Sequence, residues 1–466
     1  MKSSKQQTIV ESVDGPINWK VFYHSVWLLI IPMAIQNLIN VGVSAADVIM
    51  LGKVGEKVLS GASLAGQVQF VMTLIFYGIT SGITVLTAQY WGKGDTRSIE
   101  KILGIGLTCG ILVGTLFTAA AFFIPKLLMQ IFTSDPQVIQ EGVKYLQIIA
   151  LSYICMAFTQ VYLNVMRSIE RVIIATIVYT SSLGVNVIVN AVLIFGLLGF
   201  EPMGIKGAAI GTLMARVIEL VIVLFYAVKK NKIVKIKIRD CFHFDQILFK
   251  DYIIYALPVI INEMLWGMGF SAISAVIGHM GSAAVAANAV AQVARQLSMV
   301  IAFGVSNATA IYLGKTIGEK KFEHAKAYGR AFLKLSLITG LLAGVFVLLA
   351  IPIASANMVL SAQAQNYMVF MFCVMCYFTV GQSVNCTLVV GVFRSGGDTK
   401  FALVVDTAIM WGVSIAFGAF AAFVLKWSVP IVYIILLSDE VLKIPITLKR
   451  FYSYKWIKDV TRELQI

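Results

Sequence analysis

The sequence predicts an all-α polytopic membrane protein, with twelve transmembrane helices arranged as two six-helix repeats around a central cavity. Three observations carry this expectation. The chain of 466 residues is 59% hydrophobic and only 13% charged, where a soluble domain carries about 25% charged residues. Its apolar residues fall into many long runs rather than one anchor. The second half of the chain repeats the proline and glycine positions of the first. The same composition excludes disorder, collagen, a coiled coil and a secreted disulfide scaffold.

A helix needs about 20 apolar residues to cross a bilayer. Such runs occur at 26–51, 58–90, 101–124, 138–166, 172–198 and 205–228, then at 250–278, 284–314, 327–353, 365–392, 401–425 and 428–448. Each reads as helix, because backbone in lipid must satisfy its N–H and C=O groups within the segment. The alternation of a barrel strand is absent. Short links punctuate the runs, among them Gly92-Lys93-Gly94-Asp95, Ser134-Asp135-Pro136 and Gly396-Gly397-Asp398. The expected organisation is a tail at 1–20, a six-helix half at 21–228, a linker at 229–249, a second half at 250–448 and a tail at 449–466. The first run, from Phe22 to Leu51, is too long for a cleavable signal.

The net charge is +14, from 37 basic and 23 acidic residues. On a soluble protein this would suggest nucleic acid. Here the charge follows topology. If the N-terminus is cytoplasmic, most basic residues share its side, with Lys53, Lys57, Lys126, Lys206 and Lys426 among the few opposite. The bias places both termini in the cytoplasm, as expected of a multi-pass plasma-membrane protein, and needs no nucleic-acid partner. In the linker, Lys229, Lys230, Lys232, Lys235, Lys237 and Arg239 would attract anionic membrane lipid at about 1 kcal/mol per charge. The cysteines Cys109, Cys155, Cys241, Cys373, Cys376 and Cys386 sit mostly in apolar runs and read as small core hydrophobes.

Shifted by 226 residues, Pro32 falls on Pro258, Gly52 on Gly278, Gly55 on Gly281, Ala65 on Ala291, Gly78 on Gly304 and Gly92 on Gly318. At a shift of 227, Arg167-Ser168 falls on Arg394-Ser395. The halves are therefore parallel repeats about an axis along the membrane normal, a plan that suggests alternating access. Pro32 and Pro258, paired about a third of the way into their runs, are the expected hinges, since proline removes a helix hydrogen bond.

Ionisable groups within spans mark functional candidates. Asp47 in the first run, with Gln36, Asn37 and Asn40 on the same run and Asn186 and Asn190 one turn apart on the fifth, predicts a polar pocket with one carboxylate. Small residues from Gly207 to Thr212 would let the sixth run approach closely. A carboxylate there can cycle a proton or hold Na⁺ among neutral oxygens. Glu263, flanked by Asn262 and Trp266, suits a lipophilic cation through charge and ring-face attraction. Arg216 and Glu219 are expected to pair, and Arg295 to neutralise an acid from another span. Asp406, Asp439 and Glu440, near helix ends or within reach of Lys443, read as solvated. Gly314-Lys315-Thr316 is no nucleotide loop, because Thr309 stands where its first glycine belongs. No histidine pair has metal-ligand spacing, so an enzyme and any metal beyond Na⁺ are disfavoured, as is a filter-type channel.

The residues together resemble the MATE family, multidrug and toxic compound extrusion transporters. The resemblance covers essentially the whole chain. It rests on Pro32 with the run Asp47 to Gly55, on Thr87 to Asp95, on Asn186-Val-Ile-Val-Asn190, on Gly204 to Thr212 and on Arg394 to Thr399. It implies a single-chain antiporter, without cofactors, that expels organic cations or other small amphipathic compounds against entering H⁺ or Na⁺. It also implies a cation site at Asp47, Asn186, Asn190 and Thr212; the polar and charged residues within the spans themselves predict a substrate cavity at Gln36, Asn37, Asn40, Asn262, Glu263, Trp266 and Arg295. Some members carry a second Asp where this chain has Asn190, which leaves proton and sodium coupling both open. A lipid-linked precursor flippase of the same superfamily ranks second and a membrane-embedded transferase third.

Overall fold

The computed structural model describes residues 15–237, 240, 245–357 and 361–462; Arg239, Cys241 and His243 of the linker lie outside them. Span 1 is Trp19–Gly52, span 2 Glu56–Lys93, span 3 Thr96–Phe123, span 5 Ile173–Phe195 and span 6 Ile205–Phe225. Span 4 comprises two helices, Pro136–Ile149 and Ser152–Ser168, bent by 53°. In the second half, span 7 is Gln246–His279, span 8 Ser282–Ser298 followed by Val300–Gly318, and span 9 Phe322–Asn357. Span 10, Ala362–Cys386, widens into a π-helix at Thr387–Phe393, and span 11 runs from Thr399 to Phe423 with a π-helical stretch at Met410–Ile415. Span 12 is broken into Val429–Leu436 and Asp439–Tyr452.

Among the described residues, ten helices are each long and apolar enough to cross a membrane, and bent span 4 makes an eleventh. Span 12 fails that test for a physical reason. It is broken into helices of 8 and 14 residues, each too short to cross alone, and the second carries Asp439, Glu440 and Lys443, all buried. The twelve-helix layout in two repeats therefore stands, but spans 4, 8 and 12 are interrupted where the apolar runs read as continuous.

The sequence starts these helices with local signals. The carboxylates of Asp95, Asp135 and Asp245 accept from backbone N–H groups that open spans 3, 4 and 7, each satisfying donors that the helix cannot. Gly94, with φ 79°, closes span 2 in the left-handed region. The outer surface is apolar: Leu112, Leu116, Leu342, Leu349 and Val404 are all at least 60% exposed, as suits helices solvated by lipid. Cys373 is exposed too, so it faces outward rather than packing in a core.

The repeat is visible as packing. A Cβ on Gly92 would lie 2.0 Å from the Lys315 carbonyl oxygen, and one on Gly318 would lie 1.9 Å from that of Gln89. These contacts are images of each other, since 92 + 226 = 318 and 89 + 226 = 315. Spans 2 and 8 thus cross backbone to backbone on the side that bears both termini. Gly78 abuts Ile260 and Gly82 abuts Ala256 on span 7, while Gly304 of span 8 abuts Ile30 and Ala34 on span 1. Each proline-bearing helix therefore leans on the opposite half, and span 1 and span 7 run through Pro32 and Pro258 without interruption. At the other membrane face, Gly55, Gly278 and Gly281 meet nothing within 4 Å.

The C-terminal segment after span 12 clasps this crossing. Gln89 of span 2 donates to the Ser395 and Lys458 carbonyls, at 2.7 and 3.0 Å, and accepts from Val460 N–H at 2.8 Å. Arg462 forms a two-pronged pair with Asp251 of span 7 at 2.6 and 2.7 Å. Asp398 receives Arg450 at 2.7 Å and Lys458 at 2.8 Å. Burial alone would raise the Asp398 carboxyl, but these two cations outweigh it and hold it below its ordinary 3.8. A depressed carboxyl stabilises the fold above its unfolded pKa and loses that contribution as pH falls through the folded value.

Two outcomes follow from this packing. Gly318→Ala should lower the thermal midpoint by several degrees in detergent, since overpacking costs about 1–3 kcal/mol; an unchanged midpoint would refute backbone contact at the crossing. The clasp should protect the C-terminal segment from added protease at neutral pH and release it only when pH falls below about 3.8, as a pH series of limited digestion would read.

Candidate functional site

Two polar constellations lie within the membrane. The first joins spans 1, 5 and 6. Asn190 Nδ2 donates to Asp47 Oδ1 at 2.6 Å and to Asn186 Oδ1 at 3.3 Å, and Asn186 Nδ2 donates to Thr212 Oγ1 at 3.3 Å. The four residues that the sequence nominated are thus in one chain of hydrogen bonds. Their closeness depends on the small residues of span 6. A Cβ on Gly211 would sit 2.0 Å from Asn190 Oδ1, and one on Gly207 would meet the Leu193 carbonyl carbon at 2.7 Å. Asn190 Oδ1 is buried and has no hydrogen-bond partner, leaving a free acceptor beside the carboxylate. Arg216 pairs with Glu219 at 2.7 Å in the same half.

The second is a cavity of about 380 Å³ between the halves. Gln36, Asn37, Asn40, Asn262, Glu263 and Trp266 line it, together with the aromatic side chains of Tyr77 and Phe303. Asp47 does not line it, but span 1 carries both Asp47 and the wall residues Gln36, Asn37 and Asn40. Arg295 stands off the wall. It neutralises no acid; its Nε and Nη1 donate to Gln292 at 2.8 Å and Gln382 at 3.1 Å, and its guanidinium lies 5.0 Å from the centre of the Phe270 ring.

The cavity is more highly charged than the sequence suggested. Arg167 and Arg394, which the sequence nominated as repeat mates but not as cavity residues, both line it. Glu263, read as a free site for a cation, is held by Arg394 Nη2 at 2.8 Å. Asp406 and Glu440, read as solvated at helix ends, instead face the cavity and are ion-paired. Lys443 Nζ, 1% exposed, reaches Asp406 and Asp439 at 2.8 Å and Glu440 at 3.4 Å. Asn262 donates to Asp406 at 3.2 Å and Asn385 to Glu440 at 2.8 Å. Three carboxylates, one on span 11 and two on span 12, thus share one ammonium, and the break within span 12 leaves no mark in an apolar run. Among the described residues, no group of His, Cys, Asp and Glu could hold a metal ion.

The MatE family model matches residues 32–192 and 258–420. The two matches begin at Pro32 and Pro258, the paired prolines of the repeat, and span most of the chain. The chain belongs to the MatE family. It is a MATE-type transporter in a multi-pass membrane fold, not an enzyme. It is 22% identical over 439 residues to an uncharacterized transporter, YisQ, of Bacillus subtilis, covering 93% of this chain and 95% of that one. It is 25% identical over 329 residues to a probable multidrug resistance protein, NorM, of Agrobacterium fabrum, covering 70% and 69%. Among solved structures, a multidrug resistance MATE family transporter described as outward-facing superposes with a TM-score of 0.84 at 18% identity, over 92% of this chain and 96% of that one. A MOP superfamily transporter of Pyrococcus furiosus superposes equally well, at 0.84 and 18% identity.

The Glu263–Arg394 pair gives a direct test of the cavity wall. Glu263→Gln leaves a buried guanidinium uncompensated and should cost about 3 kcal/mol or more, read as a lowered thermal midpoint. The double substitution Glu263→Gln with Arg394→Gln should recover part of the loss. A double variant as unstable as the sum of the single variants would show that the two side chains act independently.

Proposed function

We propose that this MATE transporter is a cation-coupled antiporter, driven by H⁺ or Na⁺, that exports small amphipathic organic cations by alternating access. One observation carries the reading: span 1 presents Asp47 to the hydrogen-bonded cluster on spans 5 and 6, and Gln36, Asn37 and Asn40 to the cavity. A change at the carboxylate is thereby transmitted to the cavity wall along one helix that contains Pro32. The free Asn190 Oδ1 beside Asp47 suits a Na⁺ ligand set, and the single carboxylate suits a proton equally. Aromatic rings and the carboxylates of Asp406 and Glu440 suit a cationic amphipath. The halves meet on the termini-bearing side and not at the far face, which supports an outward-open state. The basic residues gathered on the termini-bearing side support a cytoplasmic location for both ends in the plasma membrane, with a single chain sufficing, since both repeats lie in one polypeptide.

In this cycle an external cation neutralises Asp47, its hold on Asn190 changes, and span 1 shifts against span 5 so that the cavity releases its cargo outward. The coupling ion and the cargo must each bind the two states with different affinity, or nothing moves. In vesicles under separately imposed proton and sodium gradients, the wild type should expel a fluorescent cationic dye under one of them. Asp47→Asn should abolish gradient-driven efflux while dye binding persists. Efflux unchanged in that variant would place coupling elsewhere, and dye movement under neither gradient would overturn the antiport reading.

A further inference from the structure

We propose that Arg167 is an oxyanion subsite in the cavity, and that the cargo therefore carries a carboxylate as well as a cationic, apolar body. This rests on the export reading above and names its cargo more closely. The argument starts from the repeat. Arg167 and Arg394 are mates, since 167 + 227 = 394, and both line the cavity. In the second half, Arg394 has a counter-ion: its Nη2 binds Glu263 Oε1 at 2.8 Å and its Nη1 donates to Ser81 Oγ at 3.2 Å, while its Nε, like that of Arg167, is buried without a partner. In the first half, the counterpart of Glu263 is position 263 − 226 = 37, which is Asn37. The acid that the symmetric arrangement would supply is missing, and its place on the cavity wall is taken by a neutral amide.

The surroundings of Arg167 agree. Nη2 donates to Tyr179 Oη at 2.9 Å, and the guanidinium lies 5.7 Å from the centre of that ring. Tyr179 in turn donates to Gln160 at 3.3 Å. Nε is buried without a hydrogen-bond partner. Tyr77, Thr84 and Asn164, which share this wall, are neutral, and none of the ion pairs among the described residues includes Arg167. A guanidinium inside the membrane is costly unless an anion or a water-filled space accompanies it. Its planar fork suits a carboxylate, and in the mate a carboxylate, Glu263, sits against Nη2. The remaining carboxylates on the cavity, Asp406 and Glu440, share a lysine on the opposite half. The cavity is thus bipolar, with a guanidinium on the first half and surplus carboxylates on the second. A cargo with a carboxylate at one end and a protonated amine at the other satisfies both poles.

The test compares a rhodamine bearing a free carboxylate with its methyl ester, by equilibrium binding to the purified full chain and by gradient-driven efflux. The wild type should favour the acid. Arg167→Gln should weaken the acid by about 10- to 100-fold, as loss of a charge-assisted hydrogen bond does, and leave the ester within about twofold. Arg167→Lys should restore part of the preference. Asn37→Glu supplies the missing carboxylate with Arg167 intact, so it should cancel the preference for the acid by filling the subsite, as Glu263 does for Arg394. It also keeps the proposal testable if Arg167→Gln fails to fold. Both probes weakened alike by Arg167→Gln, or a preference for the acid that survives Asn37→Glu, would overturn the subsite. If the binding preference behaves as expected while neither gradient moves either probe, the export reading fails and the subsite stands.

Discussion

Two backbone carbonyls determine how the halves of this transporter meet. Lipid offers no hydrophobic drive between helices, so association depends on close packing and on the polar groups that packing exposes to one another. Gly92 against the Lys315 carbonyl, and Gly318 against that of Gln89, let spans 2 and 8 cross without an intervening side chain. Everything on the termini-bearing side is organised by that crossing. Span 7 lies against Gly78 and Gly82, span 1 against Gly304, and the C-terminal segment ties Gln89, Asp251 and Asp398 together beneath. A rearrangement that parts spans 2 and 8 has to release those bonds as well.

The repeated backbone carries unequal chemistry. The first half places one carboxylate, Asp47, in a neutral amide and hydroxyl cluster away from the cavity, where its repeat mate is Ile273. The second half places three carboxylates around Lys443 at the cavity edge. Arg394 has Glu263 while Arg167 has Asn37 at the matching position. The symmetric scaffold supplies two comparable environments, and the two halves fill them with different groups.

Much of this plan was legible in the sequence because it depends on properties that survive without coordinates. Apolar runs of bilayer length gave the spans, paired Pro and Gly gave the repeat, and the spacing of Asn186 and Asn190 placed both on one helical face with Asp47 opposite. What was not legible depends on bends. Arg167 lies near the end of the second helix of a span bent by 53°, on one face with Gln160 and Asn164, and Arg394 follows a π-helical stretch; the sequence alone does not say that these faces meet at the cavity. Asp406, Asp439 and Glu440 looked solvated because they fall near helix ends or within reach of Lys443, and only the tertiary structure shows Lys443 buried among them. Arg295 looked like an ion-pair partner, yet amides and a ring satisfy it, an arrangement that charge counting cannot reveal.

The carbonyl contacts at the crossing have a consequence for the membrane as an electrical barrier. A cavity open to one side removes part of the bilayer's insulating thickness, and what remains must still block ions. A water molecule needs room of its own and two or more polar partners. Where two helix backbones touch at glycine, no such room remains, and the carbonyls already face helix rather than solvent. At the crossing itself, therefore, little room is left for a water path between spans 2 and 8, and the insulation lost to the cavity is partly restored there.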